Sequence, residues 1–297
     1  MWRKIAAISL ALVIVLTFTA CKGATGGETG LPSVEEIINK VAGAQDDART
    51  FRLDMDMTMD MVGEEDGEVY MVAMVSSSAG AVDIPNEKLM MDMDMTMEMG
   101  EMALPDEGVM EVSIVMYMID NVMYMMTDIP EMGPMWMKYE VDMPEEILGQ
   151  MDQTQYQVEL LEDAVQVELV GSEVVGGVDC YVLELNPDMN QLWQLMMQQM
   201  EDMGGMGEAD LGIDPALLLD MFRDFSVKQW VAKDTYFMVR AVIDMSLEVT
   251  AEAMGVPEEE GTVTMDMSMD MLVYDYNQPV SIVLPPEAAT AMDISGA

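Results

Sequence analysis

Leu53-Asp54-Met55-Asp56-Met57-Thr58-Met59-Asp60-Met61 alternates apolar and polar side chains without a break. Met91-Asp92-Met93-Asp94-Met95-Thr96-Met97-Glu98-Met99 repeats the alternation, and Met265-Asp266-Met267-Ser268-Met269-Asp270-Met271 repeats it again. On a β-strand successive side chains point to opposite faces, so each stretch has one methionine face and one acidic face. At helical spacing the same methionines would scatter around the axis, so strand is the better fit. Methionine has weak β propensity, but the binary pattern overrides propensity.

Working outward, further strands are expected at Glu68 to Ser76, Val109 to Met118, Val122 to Met126, Met135 to Val141, Ala164 to Val170, Val178 to Leu185, Val227 to Ala232 and Tyr236 to Val249. Asp120-Asn121, Gly176-Gly177 and Lys233-Asp234 supply the turn chemistry between neighbours. The sum is about eleven strands, mostly adjacent to their sequence neighbours, as in an antiparallel meander. Three helices are expected among them. Ser33 caps Val34 to Asp47 with Glu36 completing a capping box. Asp188 to Met203 carries Leu192, Trp193 and Met196 near helical spacing. Pro215 to Phe225, capped by Asp214, carries Leu218 and Phe222. A short turn is expected from Pro144 to Met151.

The first residues have the layout of a lipoprotein export signal. Arg3 and Lys4 precede an apolar run from Ile5 to Leu16, and Thr17-Phe18-Thr19-Ala20 closes it before Cys21. The run is shorter than the ~20 residues of a membrane span. The division that follows is a signal over 1–20, a Gly- and Thr-rich tether over 21–32 and a single domain over 33–297. A diacylated Cys21 would hold the chain at the outer face of the cell membrane or in the envelope, because two acyl chains anchor where one is marginal. Cys180 is then left without an intramolecular partner, so no disulfide framework is expected.

Composition removes several functions. Twelve basic against 56 acidic residues give a net charge of −44, which repels nucleic acid and anionic headgroups. The chain has no histidine, so Ser-His-Asp and Cys-His catalysis and imidazole metal sites are absent. Asp54-x-Asp56-x-Thr58 begins like an EF-hand loop, but Met59 stands where the turn needs glycine. No catalytic or cofactor motif is present. The acids read as a solvated face, with stability that rises as salt screens them.

Several segments carry a resemblance. They are Ser33-Val34-Glu35-Glu36-Ile37-Ile38 after the Cys21 site, Met135-Trp136-Met137-Lys138-Tyr139, the stretch from Leu169 to Tyr181, and Gln229-Trp230-Val231-Ala232-Lys233-Asp234-Thr235-Tyr236. In this order they resemble the LolA-like superfamily of exported lipoproteins, including its LppX/LprG branch. The resemblance implies a mainly β (α+β) fold, an antiparallel half-open barrel with helices on its concave face. It also implies a cavity for acyl chains and a carrier role without catalysis.

Two readings of the methionines follow. They line an adaptable cavity for an apolar small molecule or lipid, since the side chain is unbranched and polarizable. The candidate lining is Met55, Met57, Met59, Met93, Met95, Met97, Met267 and Met269, with Leu192, Trp193, Met196, Leu218 and Phe222 from the helices. Alternatively, clustered thioethers bind Cu(I) or Ag(I). A third possibility is a structural surface lipoprotein with neither property.

Overall fold

A computed structural model describes residues 32–65, 68–100, 108–130, 133–140, 165–188, 221–250 and 262–294. Among the described residues helix α1 (Val34–Asp46) comes first, and one sheet with two short 3-10 helices, Ile84–Asn86 and Pro286–Thr290, follows. Its strands are β1 (Thr50–Glu65), β2 (Glu68–Asp83), β3 (Lys88–Met99), β4 (Val109–Ile119), β5 (Val122–Ile129) and β6 (Gly133–Glu140). They continue with β7 (Val165–Val175), β8 (Val178–Pro187), β9 (Phe222–Ala232), β10 (Met238–Thr250), β11 (Thr262–Tyr274) and β12 (Met292–Asp293).

The spatial order is β12-β6-β5-β4-β3-β2-β1-β11-β10-β9-β8-β7. Two antiparallel meanders, β1 to β6 and β7 to β11, are therefore joined by pairing of β1 with β11. The edge strands β12 and β7 do not pair with each other, so the barrel stays open. This is the antiparallel, mainly β architecture that the alternation predicts and the half-open barrel that the resemblance implies.

Local chemistry explains the joints. Asp120 and Asn121 both have positive φ, 52° and 61°, and connect β4 to β5 as the two-residue hairpin their side chains favour. Gly176 and Gly177, at 58° and 87°, do the same between β7 and β8. Helix α1 is capped as its sequence requires: Ser33 Oγ accepts from the Glu36 amide at 3.1 Å.

All eleven expected strands are present, with four differences. β2 runs on to Asp83 through Ser76-Ser77-Ser78-Ala79-Gly80, a stretch whose composition suggests a strand end. Small residues are accommodated there because β2 lies between the methionine-bearing β1 and β3. β9 begins at Phe222, so the helix expected to reach Phe225 is corrected over its last four residues. Phe222 and Phe225 instead pair with Leu247 and Met245 across a bulge in β10–β9, and tertiary pairing wins over helical spacing. β12 is an addition, and it pairs with β6 in parallel. Finally, α1 ends at Asp46 with Asp47 as its C-cap. The turn expected at Pro144 to Met151, the helix from Asp188 to Met203, and Leu192, Trp193, Met196 and Leu218 lie outside the described residues, apart from Asp188 itself.

Candidate functional site

Register assembles the methionine stretches into one face. Met55, Met57, Met59 and Met61 of β1 stand opposite Met271, Met269, Met267 and Met265 of β11. On the other side of β1 they meet Ser78, Ser76, Met74 and Val72 of β2, which in turn meet Met93, Met95, Met97 and Met99 of β3. The face continues through Met91–Met116–Met125–Met137 on β3 to β6. The structure thus brings all eight strand methionines of the candidate lining onto one side of the sheet.

Cover on that side is uneven. Helix α1 lays Ile37, Ile38 and Val41 into a cluster with Val167, Leu183, Leu185, Val227, Ile243, Met245, Met265, Met267 and Met269. Met267 and Met269 are consequently core residues, 6% and 3% exposed. Phe222, partly buried, packs against the same cluster. By contrast Met55, Met57, Met59, Met93, Met95 and Met97 are only half-buried. Lys40 pins α1 to the sheet: its Nζ donates to Glu36 at 2.7 Å and to the Tyr236 hydroxyl at 3.1 Å, which raises its pKa. Tyr236 stacks on Tyr181, with ring centroids 6.3 Å apart.

Three small residues interrupt the methionines along β2. Ser76, Ser78 and Gly80 are all buried, flanked by Met57, Met55 and Leu53 on β1 and by Met95, Met93 and Met91 on β3. Ser78 Oγ donates to the Met55 carbonyl at 3.2 Å. Ser76 Oγ has no hydrogen-bond partner. Sequence reading missed this pair; the signal was Ser-x-Ser-x-Gly in phase with the apolar positions.

The opposite face carries the acids. Asp270 is held by Arg240 through Nη2 at 2.5 Å and Nε at 2.8 Å, and the guanidinium lies 4.7 Å over the Trp230 ring. Trp230 Nε1 donates to Glu173 at 2.8 Å. A cavity of about 220 Å³ opens on this side under Ser281-Ile282-Val283, lined also by Arg52, Asp92, Tyr117 and Tyr274. Burial and the nearby Asp92 raise the Tyr117 pKa, so the phenol stays neutral. Cys180 is fully buried, burial pushes its thiol pKa up, and the thiol is kept from nucleophilic use. Among the described residues no three His, Cys, Asp or Glu side chains converge as a metal site, and no helix is long and apolar enough to cross a membrane.

No curated protein matches the chain in sequence. Solved structures similar to it include lipoprotein LppX of Mycobacterium tuberculosis, at 11% identity over 84% of this chain and 97% of that one, with TM-score 0.35. LprF of Mycobacterium bovis is similar at 12% identity over 86% and 99%, with TM-score 0.39. A putative outer membrane lipoprotein-sorting protein domain from Vibrio parahaemolyticus is similar at 10% over 83% and 93%, with TM-score 0.19. Residues 33–293 match a family of unknown function, DUF6612, and the chain belongs to that family.

Proposed function

We propose that the chain is an exported lipoprotein, anchored through Cys21, that binds or shuttles an apolar ligand of lipid class on its methionine face without catalysis. One observation supports this most directly. The methionine face crosses the sheet with Ser76 and Ser78 as its breaks, yet the cluster under α1 covers the β7–β11 side, leaving Met55, Met57, Met59, Met93, Met95 and Met97 half-buried. Apolar surface left at that depth favours an apolar occupant, at about 0.8 kcal/mol per methylene transferred from water. Methionine suits a ligand of variable shape, because it repacks at little cost. The absence of histidine and the neutral, buried state of Cys180 are in keeping with a carrier rather than a hydrolase.

The test is native mass spectrometry of the chain purified from a lipid-containing host with Cys21 replaced. Lipid-mass adducts are expected, and Met57→Glu with Met95→Glu should remove them while circular dichroism stays unchanged. A protein that carries no lipid and does not bind a fluorescent fatty-acyl probe would overturn the reading. Anchoring is checked separately: Cys21→Ala should move the chain from the membrane fraction to the soluble one.

A further inference from the structure

Six methionines stand in a single cross-strand row. Met245, Met267, Met59, Met74, Met97 and Met110 are partners in succession across β10, β11, β1, β2, β3 and β4. One step along β2 from Met74 lies Ser76, with Met57 and Met95 directly on either side of it. With Met59, Met74 and Met97 toward one end and Met55 and Met93 toward the other, seven thioether side chains neighbour one small residue. Ser76 is 1% exposed, and its hydroxyl oxygen has no partner. A buried polar atom without a partner needs an explanation, because its desolvation is not offset.

Directly opposite residues on paired strands have Cβ atoms roughly 4.5–5.5 Å apart. Rotation about Cα–Cβ and Cβ–Cγ places each methionine sulfur, so sulfurs from three neighbouring strands can converge on one ion without backbone movement. The chemistry of the donor set is selective. Thioethers are neutral and soft, and they favour Cu(I)-type cations over Mg²⁺ or Ca²⁺, which take oxygen ligands. Asp54, Asp56 and Asp60 of β1 and Asp92, Asp94 and Glu98 of β3 alternate onto the other side of the sheet, and the chain has no histidine to recruit Zn²⁺ or Cu(II). Burial is graded along the row. Met245 and Met267 are 4% and 6% exposed, whereas Met59, Met74, Met97 and Met110 are half-buried, so the outer sulfurs are reachable and the inner ones dry. The net charge of −44 draws cations toward the molecule from every side.

We propose that Met59, Met74 and Met97, with Met57 and Met95 beside Ser76, form a thioether site for one soft monovalent cation, Cu(I) or Ag(I). The bound ion supplies the electrostatic partner that the Ser76 oxygen lacks. This goes beyond lipid binding and does not depend on it.

Silver is the direct probe, since Ag(I) is soft, monovalent and stable in air. The full chain in nonionic detergent is titrated with silver nitrate in chloride-free buffer and followed by native mass spectrometry. A bound equivalent is expected for the parent chain. Met59→Leu/Met74→Leu/Met97→Leu keeps the apolar volume and should weaken Ag(I) binding at least about tenfold. The control Met116→Leu/Met118→Leu/Met123→Leu changes three methionines of the same face outside the row, and should bind as the parent does. X-ray absorption at the silver edge should show sulfur neighbours. Equal affinity in all three proteins, no uptake by the parent, or an oxygen-only coordination shell would overturn the site. Ser76→Leu, filling the centre of the ring, should also abolish the equivalent. Lipid adducts persist in the Leu variant if both readings hold, whereas their absence from the parent chain strikes only the carrier reading.

Discussion

Replacing Asp60 by Asn should stabilise this protein, and should do so only at low salt. Asp60 on β1 stands directly opposite Asp266 on β11, on the acidic side of the sheet. Ser246 Oγ donates to Asp266, but among the described residues neither carboxylate has a lysine or arginine within ion-pair distance. Two unit charges about 5.5 Å apart in a water-like dielectric repel by about 0.7 kcal/mol. Cross-strand like-charge pairs fall in the same range of roughly 0.2–1 kcal/mol. Both side chains are exposed, so solvent screening holds the gain to the lower half of that range at physiological salt. For a chain of this size the gain corresponds to about 1–3 °C in Tm at low ionic strength. The structure provides an internal control. Asp56 faces Asp270 in the same way, but Asp270 is already engaged by Arg240. Asp56→Asn should therefore change Tm by less than Asp60→Asn. Melting followed by circular dichroism at about 10 mM and about 1 M salt separates the cases, because the screening length shrinks from about 30 Å to about 3 Å. The parent should gain stability with salt, and Asp60→Asn should gain less. A destabilised Asp60→Asn, or one whose advantage survives at high salt, would refute the reasoning.

The core predicts a graded response to truncation: Met269→Ala, at a position 3% exposed, should cost about 2–5 kcal/mol in urea denaturation, and the half-buried Met95→Ala distinctly less. Cys180 should resist a thiol reagent at neutral pH in the folded protein and react on unfolding, since burial holds its pKa up. Tyr276 is partly buried, stacked on Phe237 at 4.2 Å, and donates to the Met238 carbonyl at 2.8 Å; desolvation raises its folded pKa far above the unfolded value of about 10. Its neutral form persists in the folded chain while the unfolded chain ionises. Stability should therefore hold below pH 10 and fall above it, and Tyr276→Phe should flatten that fall in alkaline denaturation curves. Gly63→Ala should cost about 1–3 kcal/mol by thermal melting, because a Cβ there would stand inside the Tyr70 ring.

The strands were legible because period two is a local signal, and the three methionine repeats carry it over seven to nine residues each. Capping and turn chemistry were legible for the same reason at Ser33 and Asp120-Asn121. What escaped depends on partners distant in sequence. Ser76 to Gly80 looks like a strand end until Met57 and Met95 are seen beside Ser76. Phe222 and Phe225 have helical spacing until Leu247 and Met245 claim them. The candidate face itself was half legible. That Met55 and Met267 share a side follows from alternation, but the difference between a half-buried Met57 and a buried Met269 comes from where α1 lands.

Alternation alone also leaves register open. Sliding β1 by two residues against β2 keeps every methionine on the same face and every aspartate on the other, so Met-Asp repeats are degenerate to such a slip. The degeneracy is lifted by residues that break the repeat. Tyr70 lies across Gly63, which has no side chain to obstruct the ring, and a two-residue slip would seat it on Met61 or Glu65 instead. The same slip would move Ser76 opposite Met55 or Met59 and Met74 opposite Met57 or Met61, leaving Met74 in line with Met97 but not with Met59 and Met267. The pairing that lets Tyr70 cover Gly63 is therefore the pairing that sets Met59 between Met74 and Met267. A variant that loosens Gly63–Tyr70 should therefore lower the specificity of the β1–β2 register.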